Sequence, residues 1–124
     1  MSTRSRIGIQ WPDGPIESIY CHFDGYPEGV GAQLAGCWND EEKILALIAL
    51  GNISVLGADL NSTEAYARDR GEELDMAQHA GLDEYLAYAK ESWADYTYLY
   101  IDGSWKVYTD GEWSPLSTVL ALVK

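Results

Sequence analysis

The stretch "YTYLYIDGSWKVYT", residues 96–109, carries the clearest structural signal in the chain. Two runs rich in aromatic and β-branched residues flank the dipeptide Asp102-Gly103, which is typical of a two-residue turn between antiparallel strands. The stretch therefore predicts a β-hairpin. Its first strand carries bulk on both faces, since the tyrosines alternate with Thr97 and Leu99. We expect one face to pack against helices and the other to cover a second layer or meet a partner.

A second hairpin is predicted near the N-terminus. Residues 5–11, "SRIGIQW", and residues 16–23, "IESIYCHF", alternate between apolar and polar side chains, which is the pattern of half-buried strands. Residues 12–15, "PDGP", separate the two runs and are typical of a turn. Further along the chain, residues 63–69, "TEAYARD", alternate in the same way and predict another strand.

Helices are predicted between the two hairpins. Pro27 suits the first turn of a helix, and it precedes a short helix over residues 28–38. Asn39 is a suitable N-cap for the next helix, which is expected to end at Gly51. Residues 82–93 carry an apolar stripe at helical spacing, which predicts a third helix.

The C-terminal segment, residues 114–124, predicts a last helix with Ser114 as its N-cap and Pro115 in its first turn. Strands at both ends with helices between them indicate an α+β fold. We expect an antiparallel sheet built from an N-terminal and a C-terminal hairpin, packed against two to four helices. The length of 124 residues fits a single domain over residues 1–124.

The charge balance narrows the classes of partner. Twenty acidic and eight basic residues give a formal net charge of −12. Such a surplus serves solubility, or it fits a partner with a basic surface. It argues against direct binding to nucleic acid and to anionic membranes, because both are bound through Lys and Arg.

The sequence also bears on location. No apolar segment follows the basic start "MSTRSR", and the longest strongly apolar run, residues 44–50, is too short to cross a bilayer. Cys21 and Cys37 are the only cysteines, and free thiols are the default in a reducing compartment. We expect a cytoplasmic protein, and the sequence leaves its oligomeric state open.

Residues 18–31, "SIYCHFDGYPEGVG", place Cys21, His22 and Asp24 close together in sequence. Zinc requires three or four ligands, usually in paired spacings that this chain lacks. Neighbouring residues on a strand also point to opposite faces. We therefore expect no metal and no cofactor. The stretch is interpreted as a strand-to-helix junction, with Cys21 in the core and with His22 and Asp24 pinning the loop.

The first functional hypothesis is a binding protein without catalytic residues. Acids at helix starts and turns sum to a negative field, and surfaces rich in Tyr and Trp are common at binding hot spots. The residues assigned to partner contact are the acids Asp40, Glu41, Glu42, Glu72, Glu73, Asp83 and Glu84, with Tyr96, Tyr98 and Trp105 as aromatic anchors.

Residues 68–73, "RDRGEE", support a second hypothesis. Arg68 and Arg70 either pair with neighbouring acids or bind a phosphate or carboxylate group. In the latter case they would form a small-ligand or nucleotide-signal pocket, completed by three residues of the N-terminal half: His22, Asp24 and Tyr26. A third hypothesis is an enzyme that uses Cys37 or His22.

Five blocks follow one another along the chain: "MSTRSRIGI", "IYCHFDGYPEGVG", "NDEEKILALIALGNISVLG", "YARDRGEE" and "YTYLYIDGSWKVY". In these blocks the chain resembles a family of small acidic proteins carried by phages, prophages and related mobile elements. The resemblance implies an anti-defence role, of the anti-CRISPR or anti-restriction kind. The partner would then be a host protein with a basic nucleic-acid-binding surface, such as a CRISPR effector, in the host cytoplasm.

Overall fold

The computed structural model describes residues 3–109 and 111–122. The elements follow the chain in this order: β1 Ser5–Gln10, β2 Ile16–Cys21, a π-helical turn Pro27–Gly31, α1 Ala32–Cys37, α2 Glu41–Ala49, β3 Ile53–Val55, β4 Glu64–Ala65, α3 Tyr66–Arg70, β5 Ala77–His79, α4 Leu82–Glu91, β6 Tyr96–Ile101, β7 Ser104–Thr109, β8 Glu112–Pro115 and α5 Leu116–Leu122. The α+β class is confirmed. The described part of the chain holds five α-helices, against two to four expected, and two of the five, α1 and α3, are short.

The strands form one mixed sheet in the order β4-β3-β2-β1-β6-β7-β8, with β5 also paired to β2. Both predicted hairpins are present as antiparallel pairs, β1 with β2 and β6 with β7. The pairs of β1 with β6 and of β2 with β3 are parallel. The sheet is therefore mixed. The expectation of an antiparallel sheet is correct for the two hairpins but not for the pairs that join β1 to β6 and β2 to β3.

The parallel pairing of β1 with β6 follows from where the chain leaves the first hairpin. Cys21, the last residue of β2, lies opposite Ser5, the first residue of β1. Ser5 in turn lies opposite Tyr96, the first residue of β6. The connection from the end of β2 to the start of β6 thus begins and ends at the same end of the sheet. As a result, β6 runs in the same direction as β1.

One face of the sheet carries the larger hydrophobic core. There Ile7 and Ile19 of the first hairpin pack with Ile44 and Leu47 of α2 and with Trp38. Each of these side chains is at most 1% exposed, so the core gains its stability from nearly complete removal of apolar surface from water.

The opposite face carries a smaller core, in which Tyr85 of α4 packs with Ile16 and Leu99. Because Ile16 and Ile19 point to opposite sides of β2, α2 and α4 cover opposite faces of the sheet. Any surface built on the start of α2 is therefore separated by the sheet from one built on α4.

Two helix starts differ from the sequence prediction. Asp40, rather than Asn39, is the N-cap of α2, and its side chain accepts a hydrogen bond from the backbone N–H of Glu42. The amide of Asn39 instead donates to the carbonyl oxygen of Ala35, in the preceding helix. At the C-terminus, Pro115 ends β8, and α5 begins only at Leu116. Since Pro lacks an N–H, it suits the end of this edge strand as well as a first helical turn.

The strand predicted over residues 63–69 is mostly wrong. Only Glu64 and Ala65 are extended, and the chain then turns into α3. The carboxylate of Asp69 accepts a hydrogen bond from the backbone N–H of Ala65, which holds the start of this short helix. A side chain thereby competes with strand pairing for the backbone. The expected helix over residues 28–38 is present as the π-helical turn followed by α1.

In the part of the chain that the structure describes, no helix combines the length and the apolar character needed to cross a membrane.

Candidate functional site

The seven acids assigned to partner contact do not form one surface. Asp40, Glu41 and Glu42 lie at the start of α2, on the side of the larger core, whereas Asp83 and Glu84 lie at the start of α4, on the side of the smaller one. The other two, Glu72 and Glu73, are exposed in the loop between α3 and β5. The expectation of a single charged face is corrected to separate groups on opposite sides of the sheet.

The group at α2 is extended by acids that are distant in sequence. A surface cavity of about 520 Å3 is lined by Asp40, Glu42 and Asp59, with Trp38 and Leu60 as apolar walls. Among the described residues that line it, Lys43 is the single basic side chain. Carboxylates around an apolar depression suit a partner that presents both positive charge and apolar contact.

A second cavity, of about 390 Å3, adjoins the same helix start and contains Glu41 and Asp102, with Trp11 and Tyr100 beside them. We call Asp40, Glu41, Glu42, Asp59 and Asp102 together the α2 acidic surface. Asp59 and Asp102 were not assigned from the sequence. Asp102 was visible as a turn residue, but no local signal shows that the turn lies beside α2.

Each carboxylate of the α2 acidic surface is placed or stabilised by local structure. Asp40 caps α2, and acids in the first turn are stabilised by the helix dipole. Asp59 accepts hydrogen bonds from the backbone N–H and the hydroxyl of Ser62, and these bonds lower the pKa of Asp59. Asp102 occupies the left-handed region, with φ of 53°, at the tip of the hairpin. All of these side chains are exposed.

The ion pairs found within residues 3–109 and 111–122 join Arg68 to Asp69 and Arg70 to Glu64. Neither pair involves a carboxylate of the α2 acidic surface. Its carboxylates are exposed to solvent.

The aromatic anchors require a correction. Tyr98 is fully buried, and its hydroxyl donates to the carbonyl oxygen of Gly25 at 2.7 Å. Trp105 is 5% exposed, and its Nε1–H donates to the carbonyl oxygen of Trp38 at 2.7 Å. Both side chains point to the larger core and are not available to a partner. Tyr96 is half-buried and packs at the edge of the same core.

The described aromatic side chains that are exposed are Phe23, Tyr26, Tyr88 and Trp93.

The arginines of the small-ligand hypothesis are held by their own segment. Arg68 donates to the carbonyl oxygens of Leu60 and Thr63 and to the carboxylate of Asp69. The bond between the two side chains raises the pKa of Arg68 and lowers that of Asp69. Arg70 pairs with Glu64, and its guanidinium lies over the ring of Tyr66. The local pairing that the sequence left open is thus what the structure shows.

The other residues of that hypothesis lie around the end of β2. The ring nitrogen Nδ1 of His22 is 2.6 Å from the hydroxyl oxygen of Tyr20. Asp24 and Tyr26 line a cavity whose described lining contains no arginine. Asp24 adopts a φ of 58°, and its carbonyl oxygen accepts a hydrogen bond from the N–H of Val30, which closes the loop. An arginine-lined pocket for an anion is not formed at this cavity.

Both cysteines pack in or against the larger core, and the buried histidine, His79, lies on the other face of the sheet. Burial raises the pKa of Cys21 to about 12, so its thiol stays protonated. Cys37 packs at the edge of the larger core, whereas His79 contacts Tyr85 of the smaller one. Within the described ranges, no group of three or more His, Cys, Asp or Glu side chains is placed to hold a metal ion.

Sequence reasoning missed one polar network, on the face covered by α4. Nε of Arg6 donates to the hydroxyl oxygen of Ser18 at 3.0 Å, and Nε2 of His79 lies 2.8 Å from the same oxygen. The Arg6 guanidinium also lies 4.7 Å from the centre of the Tyr88 ring. A Ser–His contact of this length is the geometry of an activated nucleophile. Here, however, Ser18 is fully buried, so the network joins β5 to the sheet and has no access for a substrate.

The fold and the exposed groups define the molecule as an acidic α+β protein with a mixed sheet and a cluster of exposed carboxylates at the start of α2. Comparisons with protein-family models, with curated proteins and with solved structures give no match. The exposed surface is therefore the basis on which a function is proposed.

Proposed function

We propose that this protein is an anti-defence binding protein of a phage or related mobile element, acting in the cytoplasm of the host. It would dock through the α2 acidic surface on a basic, nucleic-acid-binding surface of a host complex, such as a CRISPR effector or a restriction enzyme, and keep nucleic acid away from it. The observation that carries the proposal is that five exposed carboxylates from three parts of the chain lie at two cavities beside the start of α2: Asp40, Glu42 and Asp59 line one, and Glu41 and Asp102 line the other. The phage context comes from the sequence blocks.

The physical basis is electrostatic. A cleft that binds phosphates presents positive potential, and it attracts any rigid negative surface of suitable spacing. Three features make the α2 acidic surface rigid: a capped helix, a turn held by Ser62, and a two-residue hairpin turn. Ala58 and Leu60 are accessible apolar residues of the cavity beside Asp40, so apolar contact can add to the attraction of charge.

The proposal is tested with two triple variants that each remove three negative charges. The first, Glu41→Gln, Glu42→Gln, Asp102→Asn, neutralises the α2 acidic surface and leaves the Asp40 cap intact. The matched control, Asp83→Asn, Glu84→Gln, Glu91→Gln, neutralises α4 on the opposite face. Affinity is measured against a purified CRISPR effector bound to its guide and against a restriction enzyme, with and without competing DNA.

We expect the first variant to lose about tenfold in affinity, since each exposed charge contributes up to about 1 kcal/mol and 1.4 kcal/mol corresponds to a factor of ten. The control should change much less. Binding should weaken between about 50 mM and 300 mM salt because the screening length shortens, and competing DNA should displace the protein. Equal losses in both variants, affinity insensitive to salt, or no binding to either target would refute the proposal.

A further inference from the structure

A separate cavity of about 280 Å3 lies between the segment that follows β2 and the end of β3. Phe23, Asp24, Tyr26 and Glu28 line one side of it, and Leu56 belongs to the other. We call it the Asp24 cavity. It is distinct from the α2 acidic surface, since none of the described residues that line it belongs to that surface.

The Asp24 cavity combines two kinds of side chain. Phe23 is 41% exposed and Tyr26 is 38% exposed, so both rings offer surface to a ligand. Asp24 and Glu28 add two exposed carboxylates, and among its described lining residues there is no Lys, Arg or His. Buried Val30 and Leu56 supply apolar surface. Aromatic faces beside carboxylates are the surroundings that a cationic group prefers.

The aromatic and acidic groups also act on one another. The hydroxyl of Tyr26 donates to Oδ1 of Asp24 at 3.4 Å. The negative charge of Asp24 is the largest cause that raises the pKa of Tyr26. The cavity is therefore a region of negative potential, in which a cation would be stabilised and an anion repelled.

The backbone holds this arrangement before any ligand arrives. The carbonyl oxygen of Asp24 accepts from the N–H of Val30 at 2.8 Å, and the N–H of Gly25 donates to the carbonyl oxygen of Thr3 at 2.9 Å. A Cβ atom at Gly29 would stand 2.4 Å from the carbonyl oxygen of Asp24, so only glycine allows this close approach. A preformed site loses less entropy on binding than a mobile one.

We infer that the Asp24 cavity binds the guanidinium group of an arginine side chain presented by the partner protein. Arginine fits better than lysine because its planar group stacks on aromatic rings while its N–H donors reach carboxylates. The inference deepens the proposed function, on which it rests, by adding an anchor for a basic partner. The sequence suggested an anionic ligand for Asp24 and Tyr26, and the inferred ligand is a cation instead. The two arginines that were expected to bind the anion form ion pairs with Asp69 and Glu64.

The test uses three small probes: N-acetyl-arginine amide, the corresponding lysine compound and the uncharged citrulline compound. Each is titrated into the ¹⁵N-labelled protein, and amide shifts are followed. We expect saturable shifts confined to residues 23–30 and 53–56 with the arginine probe, weaker shifts with lysine and none with citrulline. Shifts from the arginine probe that map elsewhere, equal shifts with citrulline, or no shifts at all would overturn the inference.

The decisive variant is Asp24→Asn, and its matched control is Asp83→Asn on α4. Asn tolerates the left-handed φ of 58° at Asp24 well, both side chains are exposed, and both changes remove one negative charge. Asp24→Asn should weaken the arginine probe about fivefold, as expected for losing roughly 1 kcal/mol of a charge-assisted contact, whereas Asp83→Asn should leave it nearly unchanged. Tyr26→Ala should weaken it as well.

Equal weakening by the two Asn variants would show general attraction to an acidic protein and refute the cavity. That result would leave the proposed function standing, because the latter is judged by the triple variants and the macromolecular targets. Conversely, arginine binding at the cavity with no binding to either target would refute the proposed function and leave the arginine site standing. The spectra of the variants also report whether each remains folded.

Discussion

Gly8 of β1 lies directly under the ring of Tyr85: a Cβ atom added at Gly8 would stand 2.9 Å from Cζ of Tyr85. The same ring is fully buried, and its hydroxyl donates to the carbonyl oxygen of Tyr98 at 2.7 Å. Because glycine has no Cβ, the Tyr85 ring can pack directly on β1, and this contact positions α4 on the sheet. Through Tyr85, α4 closes the smaller core on the face away from α2.

We predict that Gly8→Ala destabilises the protein by about 1–3 kcal/mol, the usual cost of overpacking a core. The added methyl group would meet both the tyrosine ring and the carbonyl oxygen of Glu17, which lies at 3.3 Å. The matched control is Gly36→Ala in α1, where nothing lies within 4 Å of the added atom. There the same change should stabilise by about 0.5–1 kcal/mol, because alanine is the better helix former. Urea unfolding of both variants measures the difference, and similar effects at the two sites would contradict the packing described for Tyr85.

The buried network of His79 predicts a dependence of stability on pH. Burial, with a further contribution from the charge of Arg6, lowers the pKa of His79 below its ordinary value of 6.5, although Glu84 acts in the opposite direction. Nε2 of His79 lies 2.8 Å from the Ser18 oxygen that accepts from Nε of Arg6, so a protonated His79 would place a second positive charge beside the Arg6 guanidinium. The unfolded chain therefore binds a proton more readily than the folded one.

The free energy of unfolding should accordingly fall as the pH drops below about 6.5, by at most about 1.4 kcal/mol per pH unit for one proton. The loss should end once the pH lies below the lowered pKa of the folded state. His79→Gln removes the titrating group and should flatten this part of the curve. Chemical unfolding between pH 7.5 and 5 tests it, and an unchanged slope in the variant would contradict the role of His79.

Local sequence patterns predict some of the strands but not others. Alternation and the Asp102-Gly103 turn suffice for both hairpins, because each pairs residues that are close in sequence. By contrast, β3 and β5 have three residues each, too few for a clear alternation, and both pair with β2, which is distant in sequence. The parallel contact of Ile7 with Tyr98 spans most of the chain, and no local pattern encodes it.

Local sequence patterns also fail to show which surface residues are exposed and which lie close together. Alternation places Tyr96 and Tyr98 on one face of β6, but bulk on both faces hides which one is covered, and Tyr98 proves fully buried. The charge of the α2 start is evident from the sequence. Its extension by Asp59 and Asp102 depends on which face of the sheet α2 covers, a long-range property of packing.

The two cysteines should differ in reactivity. Cys21 is fully buried, and burial raises its pKa to about 12, so the nucleophilic thiolate is almost absent at neutral pH. Cys37 is only partly buried. Iodoacetamide should therefore modify native Cys21→Ala, which keeps Cys37, and leave native Cys37→Ser unmodified until urea unfolds it. Intact mass measured over time gives the result, and rapid labelling of native Cys37→Ser would contradict the burial of Cys21.

The cap of α2 offers a way to separate structure from charge at the proposed docking surface. Asp40 accepts a hydrogen bond from the N–H of Glu42 at 3.0 Å. Asp40→Ala should lower the free energy of unfolding by about 0.5–2 kcal/mol, the usual cost of losing an N-cap. Asp40→Asn keeps a side-chain oxygen as the acceptor and should cost much less, although it removes the same charge. If the proposed function is correct, both variants weaken binding to the basic partner by a similar factor, while only Asp40→Ala shifts the urea midpoint strongly. Equal destabilisation by the two would show that the charge, and not the hydrogen bond, holds the start of α2.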